Sequence, residues 1–287
     1  MPVPLTSNGY YTSVTSASNI PPQPVAALSA KRRRFATGRA VFALMLREMG
    51  TRYGRSPGGY VWAILEPMGM IIVLSVAFSL LLRSPPLGNS FILFYATGFL
   101  PLFLHQQISL VVSRSVKFSK ALLQYPAVTW VDAILGRFIL NTLTGLLVTI
   151  ILTTAILTLT DTRTIVEFGP IVLSLSLATL VGLGVGTLNC ALNGLFDIWA
   201  QVWSIVSRPL FLLSGIIYLY EDLPQNVQNI LWWNPLIHVV GISRSGYYPA
   251  YTPQDINVPY VLSWGIITLF LGTVLMVRYH RDILSNR

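Results

Sequence analysis

Charge is the scarcest ingredient of this 287-residue chain. Asp, Glu, Lys and Arg together make up 10% of it, against 53% hydrophobic residues. A soluble domain carries about 25% charged residues, so an ordinary water-facing surface is excluded. Cysteine is almost missing: the single Cys190 lies in an apolar run, which rules out a disulfide framework or a thiolate metal site. The three histidines, His105, His238 and His280, are scattered, and neither HExxH nor a paired-carboxylate spacing occurs. A GxxxxGK loop followed by Ser or Thr is also lacking, so the chain has no usual cradle for a nucleotide phosphate. No internal repeat of fixed period is evident.

What the chain does have is long apolar runs, with a mean hydropathy of +0.64. Each is near the roughly 20 residues needed to cross a bilayer. The reading is an all-α polytopic membrane protein with six spans, over about 60–82, 91–112, 134–157, 169–189, 199–218 and 260–277. Pro101 is expected to kink the second. Between the fifth and sixth, Leu223–Trp233 and Leu236–Tyr247 read as helices too short to span, parted at Asn234-Pro235. A helix–break–helix that dips into the bilayer and returns fits them, since irregular backbone at that depth needs protection. Residues 1–34 are Ser/Thr/Pro-rich and predicted to be disordered, with no basic n-region before an apolar stretch as in a cleavable signal. They end in the basic cluster Lys31–Arg34, a contact for anionic headgroups or a plain topology determinant. The transmembrane domain is taken as 35–287.

Ahead of the first span, Phe42, Met45, Leu46, Met49 and Tyr53 share one helical stripe, with Arg47, Glu48, Thr51 and Arg55 mostly opposite. Such a helix lies in the interface, and Gly54–Gly59 (GRSPGG) breaks it from the span. The formal charge of +9 needs no nucleic acid. Lys and Arg number eight before the first span, four around the second-to-third connection (Arg114, Lys117, Lys120 and Arg137) and three at the end. Only Arg83, Arg163 and Arg244 fall on the other side, so both termini are predicted to be cytoplasmic.

Several residues are candidates for function. Glu66 lies about six residues into the first span, where an ionisable group is costly; it either faces a path or pairs with Arg52 or Arg55 at the interface. Arg208, before Pro209 in the fifth span, either meets an anionic substrate or pairs with Asp197 or Asp132. Trp62, Tyr218, Tyr220, Trp232 and Trp233 form interfacial belts or line a conduit where sugar rings slide. Gly182, Gly184 and Gly186 permit close helix packing; a phosphate loop at mid-membrane is the remote alternative. Ser113–Pro126 is a solvated loop or a short helix with Phe118, Leu122 and Leu123 on its apolar edge, suited to a groove on a cytoplasmic partner.

The runs LREMGTRYGRSPGGYVWAILEPM, SKALLQYP, LFDIW and WWNPLIHVVGISR, in a six-span layout, resemble one family over about residues 35–281. They look like the permease subunit of a type-2 ABC transporter that exports capsular polysaccharide, related to O-antigen and teichoic acid exporters. The long N-terminus departs from that pattern. The resemblance implies a non-enzymatic homodimer in the bacterial inner membrane, with a re-entrant pair on the periplasmic side. It also implies two copies of a separate cytoplasmic ATPase that binds the ATP and Mg, and periplasmic and outer-membrane export proteins beyond. Carried over by position, Arg47, Glu48, Arg52, Tyr53 and Arg55, then Lys117, Phe118, Lys120 and Leu122, would touch the ATPase. Arg52, Arg55, Trp62, Glu66, Arg208, Tyr218, Tyr220, Trp232 and Trp233 are candidates for the path of a lipid-anchored, anionic polysaccharide. A small lipid or drug cargo, or an intramembrane enzyme with Glu66 or His105 as base, are the competing readings.

Overall fold

The computed structural model describes residues 36–52, 58–124, 128–160, 165–253 and 255–285. The expectations for the N-terminal stretch, for Tyr53 and Arg55 and for most of the Gly-Pro elbow lie outside them, as does the Arg52 side chain. Every regular element among the described residues is helical. In order they are α1 Ala36–Arg52, α2 Val61–Leu81, α3 Phe91–Ser113, α4 Ser115–Leu123, α5 Trp130–Leu159 and α6 Phe168–Leu195. Then follow α7 Trp199–Leu212, a 3-10 turn at Tyr220–Asp222, α8 Gln225–Leu231, α9 Pro235–Tyr247 and α10 Val258–Ser285.

Local chemistry sets several of these starts. Ser90 Oγ accepts from the Leu93 backbone N–H at 3.4 Å to begin α3. Thr129 and Asp132 form a reciprocal capping box for α5, and Asn234 Oδ1 accepts from Leu236 N–H with Pro235 at the first position of α9. The many Thr residues of α5 fit an apolar bundle because their hydroxyls bond back to their own helix, as Thr144 does to the Leu140 carbonyl and Thr149 to that of Gly145.

Five stretches are long and apolar enough to cross a bilayer: α2, α3 with α4, α5, α6 and α10. The expected fifth span is not one of them. Helix α7 ends at Leu212, three residues after Pro209, and the chain turns through Gly215 at φ +75°, a left-handed conformation that favours glycine. The carbonyls that follow are already taken. Buried Arg244 of α9 donates to Ile216 and Tyr218 carbonyls, each at 2.9 Å, and lies 4.2 Å over the Phe94 ring of α3. Arg244 is therefore a structural cation at a turn. Helix α6 also runs past the expected span end at about 189, continuing to Leu195 with Cys190 and Ala191 buried against α4 and α10.

Helix α6 is the central post, packed on α10, α3 and α9. Its three glycines divide their labour as the small-residue spacing predicts. A Cβ at Gly182 or Gly186 would meet α3, and one at Gly184 would meet α10. Helix α10 answers with Gly272, where a Cβ would lie 2.5 Å from the Leu188 backbone nitrogen and 2.8 Å from its Cα. Backbone cannot swing aside as a side-chain tip can. Gly272→Ala is expected to destabilise the chain by about 1–3 kcal/mol, the usual cost of overpacking. Gly69→Ala in α2, where nothing lies within 4 Å, should leave stability unchanged or slightly raised. Thermal unfolding of the purified chain in detergent checks both.

Candidate functional site

At one end of the bundle, α1, the short α4 and the start of α5 meet around two charges. Helix α1 turns Val41, Leu44 and Glu48 toward α5, where Gly136 lets the helices close: a Cβ there would sit 3.3 Å from Leu44 Cβ and 3.4 Å from the Val41 carbonyl. The residue after that glycine is Arg137. Its Nε donates to Glu48 Oε2 at 3.0 Å, with Glu48 2% exposed. Its Nη1 donates to the Val111 carbonyl in the last turn of α3 at 3.1 Å, and its guanidinium lies 4.2 Å over the Phe118 ring of α4. Arg47 of α1 also reaches that ring, at 5.0 Å, and donates from Nη2 to the Phe118 carbonyl at 3.4 Å.

The stripe Phe42, Leu46 and Met49 is exposed, and the face that packs on the chain is the adjacent one. One expectation changes: Glu48 is not on the solvated side but is the buried anion of an ion pair. Arg137 lies two turns inside α5. Breaking such a pair by removing one partner typically costs about 3–5 kcal/mol, because the other charge stays buried alone.

Helix α4 is present where the sequence offered a loop or a helix. Ser115, Val116 and Ser119 face inward, with Ser115 Oγ 3.6 Å from Cys190 Sγ. Lys117 and Phe118 are exposed, while Lys120 and Leu122 are half-buried. The apolar edge expected to enter a partner's groove is thus partly covered by the two arginines, and Lys117 and Phe118 are its outward pair.

One to two turns along α5 from Arg137, a cavity of about 340 Å³ opens between α2, α3 and α5. Trp62 and Glu66 line it from α2, Gln107 from α3, and Asn141 and Thr144 from α5. Asn141 Nδ2 donates to the Arg137 carbonyl at 2.8 Å, so the cavity wall and the ion pair share one backbone. The lining joins an aromatic face, a carboxylate, two amides and a hydroxyl, a set able to hold a hydroxyl-rich ligand against an apolar wall.

The remaining path candidates lie elsewhere. Trp232 packs on Trp233, His238 and Tyr260 with ring centroids 5.6, 5.4 and 4.9 Å away. Tyr260 donates to the Trp233 carbonyl at 2.6 Å, which places this cluster at the α8–α9 break and the start of α10. Tyr218 donates to the Leu212 carbonyl and Tyr220 to that of Gln228, so both brace turns. Beside them Tyr251 donates to Glu221, at 2.9 Å to Oε1; burial, then the Glu221 charge, pushes its phenol up. Arg208 is exposed on α7, and its proposed partner Asp132 is engaged with Thr129 in the α5 cap.

The sequence reading missed Arg137 as a site residue, together with Gln107, Asn141 and Thr144. A signal existed for Arg137, since a charge two turns inside an apolar run needs a partner, and Glu48 offered one. For the other three only their polarity inside spans marked them.

Residues 39–248 match the family model described as ABC-2 type transporter. The chain is 31% identical over 235 residues to the polysialic acid transport protein KpsM of Escherichia coli, covering 82% of this chain and 91% of that protein. It is 23% identical to the capsule polysaccharide export inner-membrane protein CtrC of Neisseria meningitidis, over 85% of this chain and 92% of that one. To BexB of Haemophilus influenzae, a capsule polysaccharide export inner-membrane protein, it is 26% identical over 86% of this chain and 93% of that protein. With the match spanning most of the helical bundle, the chain belongs to the ABC-2 type transporter family.

Proposed function

We propose that this chain is the permease subunit of an ATP-driven exporter that carries a lipid-anchored, anionic capsular polysaccharide from cytoplasm to periplasm. The observation that carries this reading is similarity over four-fifths of the chain to inner-membrane proteins named for polysaccharide transport. ATP and Mg bind a separate cytoplasmic ATPase, two copies of which serve a permease homodimer. The surface α4 offers through Lys117 and Phe118, braced on α1 and α5, supports α4 as the contact for that ATPase.

Helix α7 supports the homodimer. It buries no side chain among the described residues and exposes Val202, Ile205, Val206 and Leu212, an apolar face that a second copy covers. Its 14 residues span about 21 Å, short of the ~30 Å hydrocarbon core. It makes the fifth crossing with the help of the turn that follows, and α8–α9 form the re-entrant pair on the periplasmic side. Both termini are then cytoplasmic, as the Lys and Arg distribution favours, and the exposed Phe42–Met49 face of α1 lies in the cytoplasmic interface. Beyond the membrane the polymer passes to periplasmic and outer-membrane export proteins.

The cavity beside Glu66 is the portion of the path nearest the cytoplasmic face. Trp62 offers a flat apolar surface to a sugar ring, and Glu66, Gln107, Asn141 and Thr144 offer hydrogen bonds.

Deleting this chain in its parent strain should leave polymer inside the cell; normal surface capsule in a clean deletion overturns the reading. Lys117→Glu combined with Phe118→Ala should lower co-purification of the ATPase and export together by about tenfold, the equivalent of ~1.4 kcal/mol. Trp62→Ala should reduce export with membrane insertion and ATPase binding intact. Export assays beside pull-downs separate the two sites, and wild-type export by the Trp62 variant removes the cavity from the path.

A further inference from the structure

We infer that Arg137 is the positioning residue through which a displacement of α4 reaches the cavity beside Glu66. The inference rests on the reading that α4 meets the ATPase. Arg137 touches three other elements at once: Glu48 of α1, the Val111 carbonyl of α3 and the Phe118 ring of α4. Its own carbonyl holds the Asn141 side chain, which lines the cavity. Asn141 and Thr144 follow Arg137 on α5 by about 6 and 11 Å along the axis, at 1.5 Å per residue. A push on Phe118 therefore meets the guanidinium directly and reaches the cavity wall through one continuous helix.

Two of the other connections from α4 lead to elements less free to move. Arg114 joins α4 to α3, but α3 is buried without a break from Leu93 to Leu102 and packs on α2, α5, α6 and α9. Ser115 joins α4 to α6, the central post. Helix α5 differs: Leu143, Leu147, Ile150 and Ile151 are exposed along one side, so it can tilt with less disruption of packing.

The guanidinium is the group this task requires. Its planar fork donates to a carboxylate and a carbonyl in fixed directions while its face stacks on a ring. An ammonium keeps the charge but cannot hold all three contacts. Glu48 supplies the counter-charge that keeps Arg137 in place, and Glu48→Gln preserves shape while removing that charge.

The test uses the permease reconstituted with its ATPase subunit in liposomes, with ATP hydrolysis and polysaccharide export measured together. Arg137→Lys and Glu48→Gln should assemble with the ATPase and hydrolyse ATP within about twofold of wild type, while export per ATP falls about tenfold, equal to ~1.4 kcal/mol of lost coupling. If Arg137 acts through the ring, adding Phe118→Ala to Arg137→Lys should lower export per ATP no further than the worse single variant. A wild-type ratio in Arg137→Lys overturns the inference, as does full additivity. So does a parallel loss of assembly in both Arg137→Lys and Glu48→Gln, which marks a purely structural pair. If Lys117→Glu leaves ATPase binding and export untouched, the reading of α4 fails instead; if Lys117→Glu lowers both while Arg137→Lys keeps its ratio, only the inference about Arg137 fails.

Discussion

Removing a carboxylate and a guanidinium from water costs several kcal/mol per ion, and their attraction offsets that cost only in good geometry with the remaining donors satisfied. The Glu48–Arg137 pair meets much of that requirement. Nε serves the carboxylate, Nη1 the Val111 carbonyl at the end of α3, and the guanidinium face a ring. Because no single element carries these groups, the pair holds only when α1, α3, α4 and α5 are all in place. Gly136 is what brings α1 within reach, so the charge pair and the close helix crossing depend on each other.

The opposite end of the bundle uses a buried arginine in another way. Arg244 has no carboxylate in its hydrogen-bond set; it binds two carbonyls of the turn after α7 and lies over Phe94. Ser243 beside it donates to the Thr97 carbonyl at 2.8 Å. Two adjacent residues thus tie α9 to α3 and to the turn. The contacts are to backbone, whose position is set by the helices themselves, so this end is fixed by its own scaffold. The pair at the α4 end joins side chain to side chain.

Much of this was legible in the sequence, for a physical reason. A bilayer crossing demands about 20 apolar residues, so α2, α3, α5, α6 and α10 announce themselves by length. Asn234-Pro235 marks its break because proline cannot continue the preceding helix, and the α6 glycines their contacts by spacing. The packed face of α1 was hidden because hydrophobicity does not separate core from surroundings when lipid is as apolar as leucine. The stripe Phe42–Leu46–Met49 is the more apolar face, yet Val41, Leu44 and Glu48 are what pack. The end of α7 was hidden for a different reason. It depends on Arg244, some thirty residues later, taking the carbonyls the helix would have used. Trp62 and Glu66 share a cavity as their four-residue spacing allows, whereas Trp232, Trp233, Tyr218 and Tyr220 gather at the other end, brought there by the α8–α9 fold.

That separation bears on what each group of aromatics does. Trp232 and Tyr260 spend their polar atoms on the Asp255 and Trp233 carbonyls, and His238 spends Nε2 on that of Trp232. Such rings are held in place at both their faces and their polar tips, which suits a rigid rim. Trp233, 68% exposed, is the member of the cluster with surface left to offer. Glu66 is exposed toward a cavity whose neighbouring wall is anchored to Arg137. The two ends therefore differ in what a moving helix would alter: shape at the cavity beside α5, and little at the aromatic rim, where the hydrogen bonds close on the same short segment.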